Sequence, residues 1–160
     1  GFEHNFGDGF MPEEEIHPLI DNMRGLALFY QAMGAELCGR WGISQTELDI
    51  VGFLGSHPQW DRARDIVELR LIPKANVSEA LSSLLDKGIV AKKENGSDRR
   101  SIHLKLTPKG KKMLPYIAAM RAKAEELLFG GFSAGERDTY NSMNSRIIGN
   151  VNKCLEMHNE

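Results

Sequence analysis

The chain has 160 residues, with 20 Lys and Arg against 22 Asp and Glu, a formal charge of −2 and 41% hydrophobic residues; that length fits one domain, or one small domain with a helical extension, and buries roughly 68–70% of its unfolded surface without disulfides or metal. Two cysteines, Cys38 and Cys154, fit a reduced cytoplasmic protein better than a disulfide scaffold, no apolar run nears the roughly 18–20 residues of a membrane span, and no signal-peptide pattern opens the chain. Taken alone, the near-zero net charge argues against a nucleic-acid partner.

Residues 1–11 are glycine-rich and aperiodic and read as a flexible N-terminal arm. From Pro18 to Trp41 the apolar residues Leu19, Ile20, Met23, Leu26, Ala27, Tyr30, Met33, Leu37 and Cys38 recur every three or four positions, which predicts an amphipathic helix with a broad apolar face. Glu13, Glu14 and Glu15 precede it, where carboxylates oppose the positive end of the helix dipole, and Gly42 stops it. Ser44-Gln45-Thr46-Glu47 reads as a capping box with Ile43 and Leu48 as its hydrophobic staple. The helix it starts runs to about Ser56, burying Leu48, Ile50, Val51, Phe53 and Leu54, and His57-Pro58 ends it. Asp61 is placed to cap a short third helix through about Leu69 that buries Ala63, Ile66 and Val67. After Arg70-Leu71-Ile72, Pro73 opens a fourth helix where its missing N–H costs nothing. Val77, Ala80, Leu81 and Leu84 form its buried face, and Gly88 terminates it.

The period then changes. Ile89 to Glu94 has strand character, Asn95-Gly96 supplies a turn, and Ile102, Leu104 and Leu106 alternate with Ser101, His103 and Lys105, which predicts a β-hairpin with one apolar face. Thr107-Pro108 caps a fifth helix carrying Leu114, Ile117, Met120, Ala124 and Leu127, with a kink at Pro115. Gly130-Gly131 breaks it, and a second capping box, Ser133-Ala134-Gly135-Glu136, starts a sixth helix. Tyr140, Met143, Ile147, Val151 and Cys154 or Leu155 follow on it at near-heptad spacing.

Charge is unevenly spread over these elements. Residues 1–58 carry −7 and residues 87–112 carry +7, from nine lysines and arginines against Glu94 and Asp98. Phosphate contacts are local, so this asymmetry matters more to a polyanion than the net charge. Two short helices, a tight turn and a two-stranded hairpin form the order of a winged helix-turn-helix, whose second helix enters the major groove. The face of the fourth helix opposite its apolar residues carries Lys74, Ala75, Asn76, Ser78, Glu79 and Ser82. Asn76 could pair bidentately with adenine, and Ser78 and Ser82 could bond to phosphate or base. Lys92, Arg99 and Arg100 lie on the predicted wing, from which an arginine can enter the minor groove.

The stretch Leu84-Leu85-Asp86-Lys87-Gly88-Ile89-Val90, followed by Asp98-Arg99-Arg100-Ser101 and Leu106-Thr107-Pro108-Lys109-Gly110, resembles the MarR family of transcription regulators. Phe132-Ser133-Ala134-Gly135-Glu136 is similar to the family's entry to its last helix. The resemblance implies a mainly α protein with a small β-hairpin: a winged helix-turn-helix over residues 44–112, flanked by dimerisation helices at 12–43 and 113–160. It further implies a cytoplasmic homodimer that binds a pseudo-palindromic double-stranded operator, Lys74, Asn76 and Ser78 reading bases, and Arg100 and Arg99 on the wing with Asp98 orienting Arg100 by a salt bridge. The turn before the fourth helix departs from the family pattern, lacking a small residue and having Pro73 where Ser or Asp is usual, and Glu79 stands where relatives are often basic.

The resemblance also implies a small amphipathic, often aromatic anion in a crevice whose walls would include Tyr30, Met33, Leu37, Phe53, His57 and Met113, although such a stripe reads more simply as core. Neither Cys38, on an apolar face near only Arg40, nor Cys154, near the chain end, has the electropositive setting of a redox thiol. Glu13, Glu14 and His17 lie within a turn of one another, and His57, His103 and His158 are scattered, so no pair has strong metal spacing. No cofactor is expected, and the absence of catalytic motifs points away from an enzyme. The resulting expectation is a DNA-binding repressor modulated by a ligand. The alternative is a winged-helix protein-interaction module that has lost DNA binding, kept open by the balance of Lys74 and Lys87 against Glu79 and Asp86.

Overall fold

The computed structural model describes residues 13–93 and 102–157. The expected arm at 1–11, the Asn95-Gly96 turn and the wing residues Asp98, Arg99 and Arg100 lie outside them. The elements in order are α1 (Glu13–Trp41), α2 (Gln45–Ser56), α3 (Ala63–Arg70), α4 (Lys74–Asp86), β1 (Val90–Lys92), β2 (Leu104–Leu106), α5 (Pro108–Lys111), α6 (Leu114–Leu128) and α7 (Ala134–Met157). Two compact units divide between Arg121 and Ala122.

In the first unit, local chemistry sets most boundaries. Gly42 ends α1 at φ 62°, and the Ile43 N–H turns back to the Cys38 carbonyl at 3.0 Å. The capping box at α2 is complete: the Glu47 N–H donates to Ser44 Oγ at 3.1 Å, and the Ser44 N–H donates to Glu47 Oε2 at 2.6 Å. Val77, Ala80, Leu81 and Leu84 on α4 join Leu48, Ile50, Val51, Phe53 and Ile66 in one core with Ile89, Val90, Leu104 and Leu106 of the hairpin. Each of the fully buried large side chains contributes about 1.5–3 kcal/mol relative to exposure. The hairpin is antiparallel, with Val90 opposite Leu106 and Lys92 opposite Leu104.

Several expectations are corrected. Helix α1 starts at Glu13, not Pro18, so the three glutamates lie inside it; Pro18 is tolerated because it removes only one hydrogen bond, close to the N-terminus. The apolar face of α1 is largely exposed, at Leu19, Ile20, Met23, Leu26 and Tyr30, and only Leu37 is buried. Pro73 is the residue before α4 rather than its first member. Asp61 does not cap α3. Arg62 precedes that helix, and the Asp65 carboxylate accepts from the Arg62 N–H at 2.9 Å. Ile102 falls outside β2 and is exposed, so the apolar face of the hairpin is Val90, Leu104 and Leu106. The helix expected to continue past Thr107 with a kink is two helices. Pro115 has no N–H for the Lys111 carbonyl and its ring clashes with that group, so α5 ends at Lys111 and α6 begins at Leu114.

In the second unit, Phe129 meets Phe132 and Tyr140 edge-on at 5.7 and 5.4 Å, and the Arg137 guanidinium lies 4.8 Å over the Phe129 ring while pairing with Glu125. The second capping box is formed at Ser133 and Glu136. Tyr140, Met143, Ile147, Val151 and Leu155 are all exposed along α7.

Candidate nucleic-acid interface

Helix α4 has its back in the core, and its front presents Lys74, Ala75, Asn76, Ser78, Glu79 and Ser82, all exposed. The turn that aims it is made by Leu71 in the left-handed conformation, at φ 53°, a leucine doing what glycine usually does. No side chain caps α4, since the Pro73 side chain carries no acceptor. A groove of about 490 Å³ runs between this helix and the start of α2, with Asn76 and Glu79 on one side and Ser44 and Thr46 on the other.

Glu47 forms part of that groove and is 3% exposed. Besides capping α2, it accepts from Lys87 Nζ at 3.1 and 3.2 Å, tying the start of α2 to the end of α4. Asp61 is buried at the other end of the lobe. It pairs with Lys93, just past β1, and its Oδ1 lies 2.6 Å from His103 Nδ1, just before β2. Its carbonyl accepts from the Leu104 N–H at 2.8 Å. Sequence reasoning missed both pairs; Lys87 lies 40 residues from Glu47 and His103 lies 42 from Asp61, and no local spacing announces either.

These pairs also redistribute the basic segment. Lys87 and Lys93 are engaged internally, whereas Lys92, Lys105, Lys109, Lys111 and Lys112 are exposed and form no ion pair with a described acid. Lys92 shares the sheet face of Val90 and Leu104 and reaches solvent at the end of β1.

The residues expected to wall a ligand crevice differ in exposure. Leu37, Phe53 and Met113 are core, Met33 is half-buried, and Tyr30 and His57 are exposed. The His57 ring stacks on Phe53 with centroids 4.9 Å apart. Burial, with Asp49 and Glu47 nearby, pushes the Cys38 thiol up, the opposite of what an activated thiolate needs. Among the described residues no group of three or more His, Cys, Asp or Glu could hold a metal ion, and no helix is long and apolar enough to cross a membrane.

Two of the buried acids, Glu47 and Asp61, carry a pH dependence. Burial by itself would push both carboxyls up, but Ser83, the Ser44 N–H and Lys87 at Glu47, and Lys93 and His103 at Asp61, outweigh it and hold them below their ordinary values of 4.5 and 3.8. A depressed carboxyl contributes stability that is complete above its unfolded value and is lost as pH falls through its folded value. Asp49 works in the opposite sense, because burial pushes it up despite Arg70, Gln45 and Arg121. Urea midpoints are expected to fall below about pH 4, and less steeply in Glu47→Gln. An equally steep decline in that variant would remove the Lys87 pair from the acid response.

The fold is a winged helix with long helices before and after it. Residues 41–101 match the sequence model of the MarR family. The chain is similar to a MarR-family regulator from Listeria monocytogenes solved with a 26mer DNA (TM-score 0.78, 16% identity, 84% of this chain and 89% of that one). It is also similar to MarR regulators from Methanosarcina mazei (0.65, 22%, 87% and 98%) and Peptoclostridium difficile (0.73, 16%, 92% and 95%). No curated protein sequence matches. The family match covers the winged-helix lobe, and the fold of the chain is similar to that of these solved structures.

Proposed function

We propose that the protein is a sequence-specific DNA-binding transcription regulator that acts as a homodimeric repressor. The observation that carries this reading is the front of α4: short and flexible polar side chains, all solvent-facing, on a helix whose back is locked into the core. Lys74, Asn76 and Ser78 read bases, Ser82 and Ala75 allow close approach, and Lys92, Arg99 and Arg100 contact the wing side of the site, with Asp98 orienting Arg100. A structurally similar MarR-family regulator from Listeria monocytogenes was solved with a 26mer DNA, which supports DNA as the partner. Dimerisation is supported by the solvated apolar residues of α1 and of α7, which a lone chain leaves wet. A dimer would bring two α4 helices to successive major grooves, about 34–36 Å apart. A small amphipathic aromatic anion that binds one lobe spacing better than another would then release DNA. Tyr30, Met33 and the surface imidazole of His57 are the parts of the expected wall open to it.

The test is selection of a duplex from a random-sequence library by the wild-type protein, then affinity at several salt concentrations. Binding should be saturable and fall with salt by about 0.9 log units per log unit for each neutralised phosphate. Asn76→Ala should lose about 1–3 kcal/mol on the selected duplex and little on random DNA, and Arg100→Ala should weaken binding while leaving the dimer intact. Absent or salt-insensitive binding would overturn the reading in favour of a protein-interaction module, the reading that the exposed Glu79 on α4 favours.

A further inference from the structure

Among the described residues of the first unit, three acids are buried: Glu47, Asp61 and Asp65. Glu47 and Asp65 accept backbone N–H groups at the starts of α2 and α3, which is reason enough for their burial. Asp61 caps nothing. Its carboxylate divides between Lys93 Nζ and His103 Nδ1, the residues at which the chain leaves β1 and returns to β2. The backbone repeats the arrangement: the Lys93 N–H donates to the His103 carbonyl at 2.8 Å, and the Leu104 N–H donates to the Asp61 carbonyl at 2.8 Å. One residue of the α2–α3 connection thus holds both roots of the hairpin.

We propose that Asp61 is a positioning residue for DNA binding, clasping Lys93 and His103 so that the end of the hairpin, with Lys92 on it, is held in one place relative to α4. The inference rests on the DNA-binding reading above. A carboxylate beside a basic surface is by simple electrostatics unfavourable to a polyanion, so removing it should strengthen DNA binding. The clasp demands the reverse, because a loosened hairpin must be ordered again at each binding event.

The experiment compares wild type, Asp61→Ala and His103→Ala by amide hydrogen exchange without DNA and by affinity for the duplex selected by the wild type. In both variants the Lys93 and Leu104 amides should exchange at least about tenfold faster while Val77 and Leu84 of α4 do not change. Affinity should fall roughly tenfold, the size of one lost contact. In a cycle with Lys92→Ala the effects should be less than additive, because an unclasped hairpin no longer presents that lysine. Unchanged exchange at Lys93 and Leu104 overturns the clasp. Faster exchange with unchanged or tighter DNA binding, or with additive effects, overturns the positioning role. Failure of the wild type to enrich any duplex overturns the DNA-binding reading itself, and the positioning role with it. If Asp61→Ala does not fold, His103→Ala decides the same questions from the other side of the contact.

Discussion

Ile147→Asp is expected to turn the proposed dimer into a single chain of 17.9 kDa by light scattering, with its helix content unchanged. Ile147 is 48% exposed and stands in the middle of the α7 stripe of Tyr140, Met143, Val151 and Leu155. A single chain therefore tolerates the carboxylate, because water already reaches that position. A partner surface does not: an unpaired carboxylate enclosed there costs several kcal/mol, on the order of the gain from a few buried apolar side chains. DNA affinity should fall with the mass, since a monomer engages one half-site only. A dimer of undiminished stability would take the α7 stripe out of the interface and leave α1 to carry it.

Leu84→Ala is the largest effect expected inside the lobe. Leu84 is fully buried between the backbone turn into the hairpin, where the Ile89 N–H bonds to its carbonyl at 3.0 Å, and the rest of the α4 core face. Truncation removes the buried isobutyl group and leaves a cavity that close-packed neighbours fill only in part, a loss of about 2–5 kcal/mol. Against a total of about 5–15 kcal/mol for a domain, that is a substantial fraction. Ser82→Ala, on the exposed side of the same helix, should stay within about 0.5 kcal/mol. Urea unfolding of the two variants at constant m-value separates them, and a loss below about 1 kcal/mol for Leu84→Ala would mean that the back of α4 is not the packed support it is described as.

The winged-helix order was legible because its punctuation is local. Ser44 with Glu47, Thr107 with Gly110 and Ser133 with Glu136 are all three residues apart, and each formed the cap that its spacing announced. The back of α4 was equally legible, since three- and four-residue spacing places Val77, Ala80, Leu81 and Leu84 on one side whatever they pack against. The exposed front follows by subtraction. Asp61 reads as a cap because it stands just before a helix, but its carboxylate is taken up by Lys93 and His103, while Asp65 inside the helix accepts from the Arg62 N–H.

Sequence by itself thus determined the capped starts at Ser44, Thr107 and Ser133, the switch from helical to alternating period and the polarity of α4, all of which depend on neighbours within a turn or two along the chain. Tertiary structure alone decided that Asp61 holds Lys93 and His103, that Glu47 holds Lys87, and that Ile102 lies outside while Leu104 lies inside. It also divided the charge of the basic segment, whose summed +7 hid the difference between Lys87 and Lys93, paired with buried acids, and the exposed Lys92, Lys105, Lys109, Lys111 and Lys112, which pair with no described acid. The reason is that a buried carboxylate must find its hydrogen-bond partners in space, and the chain brings them there from some 30 to 40 residues away, where no periodicity reaches.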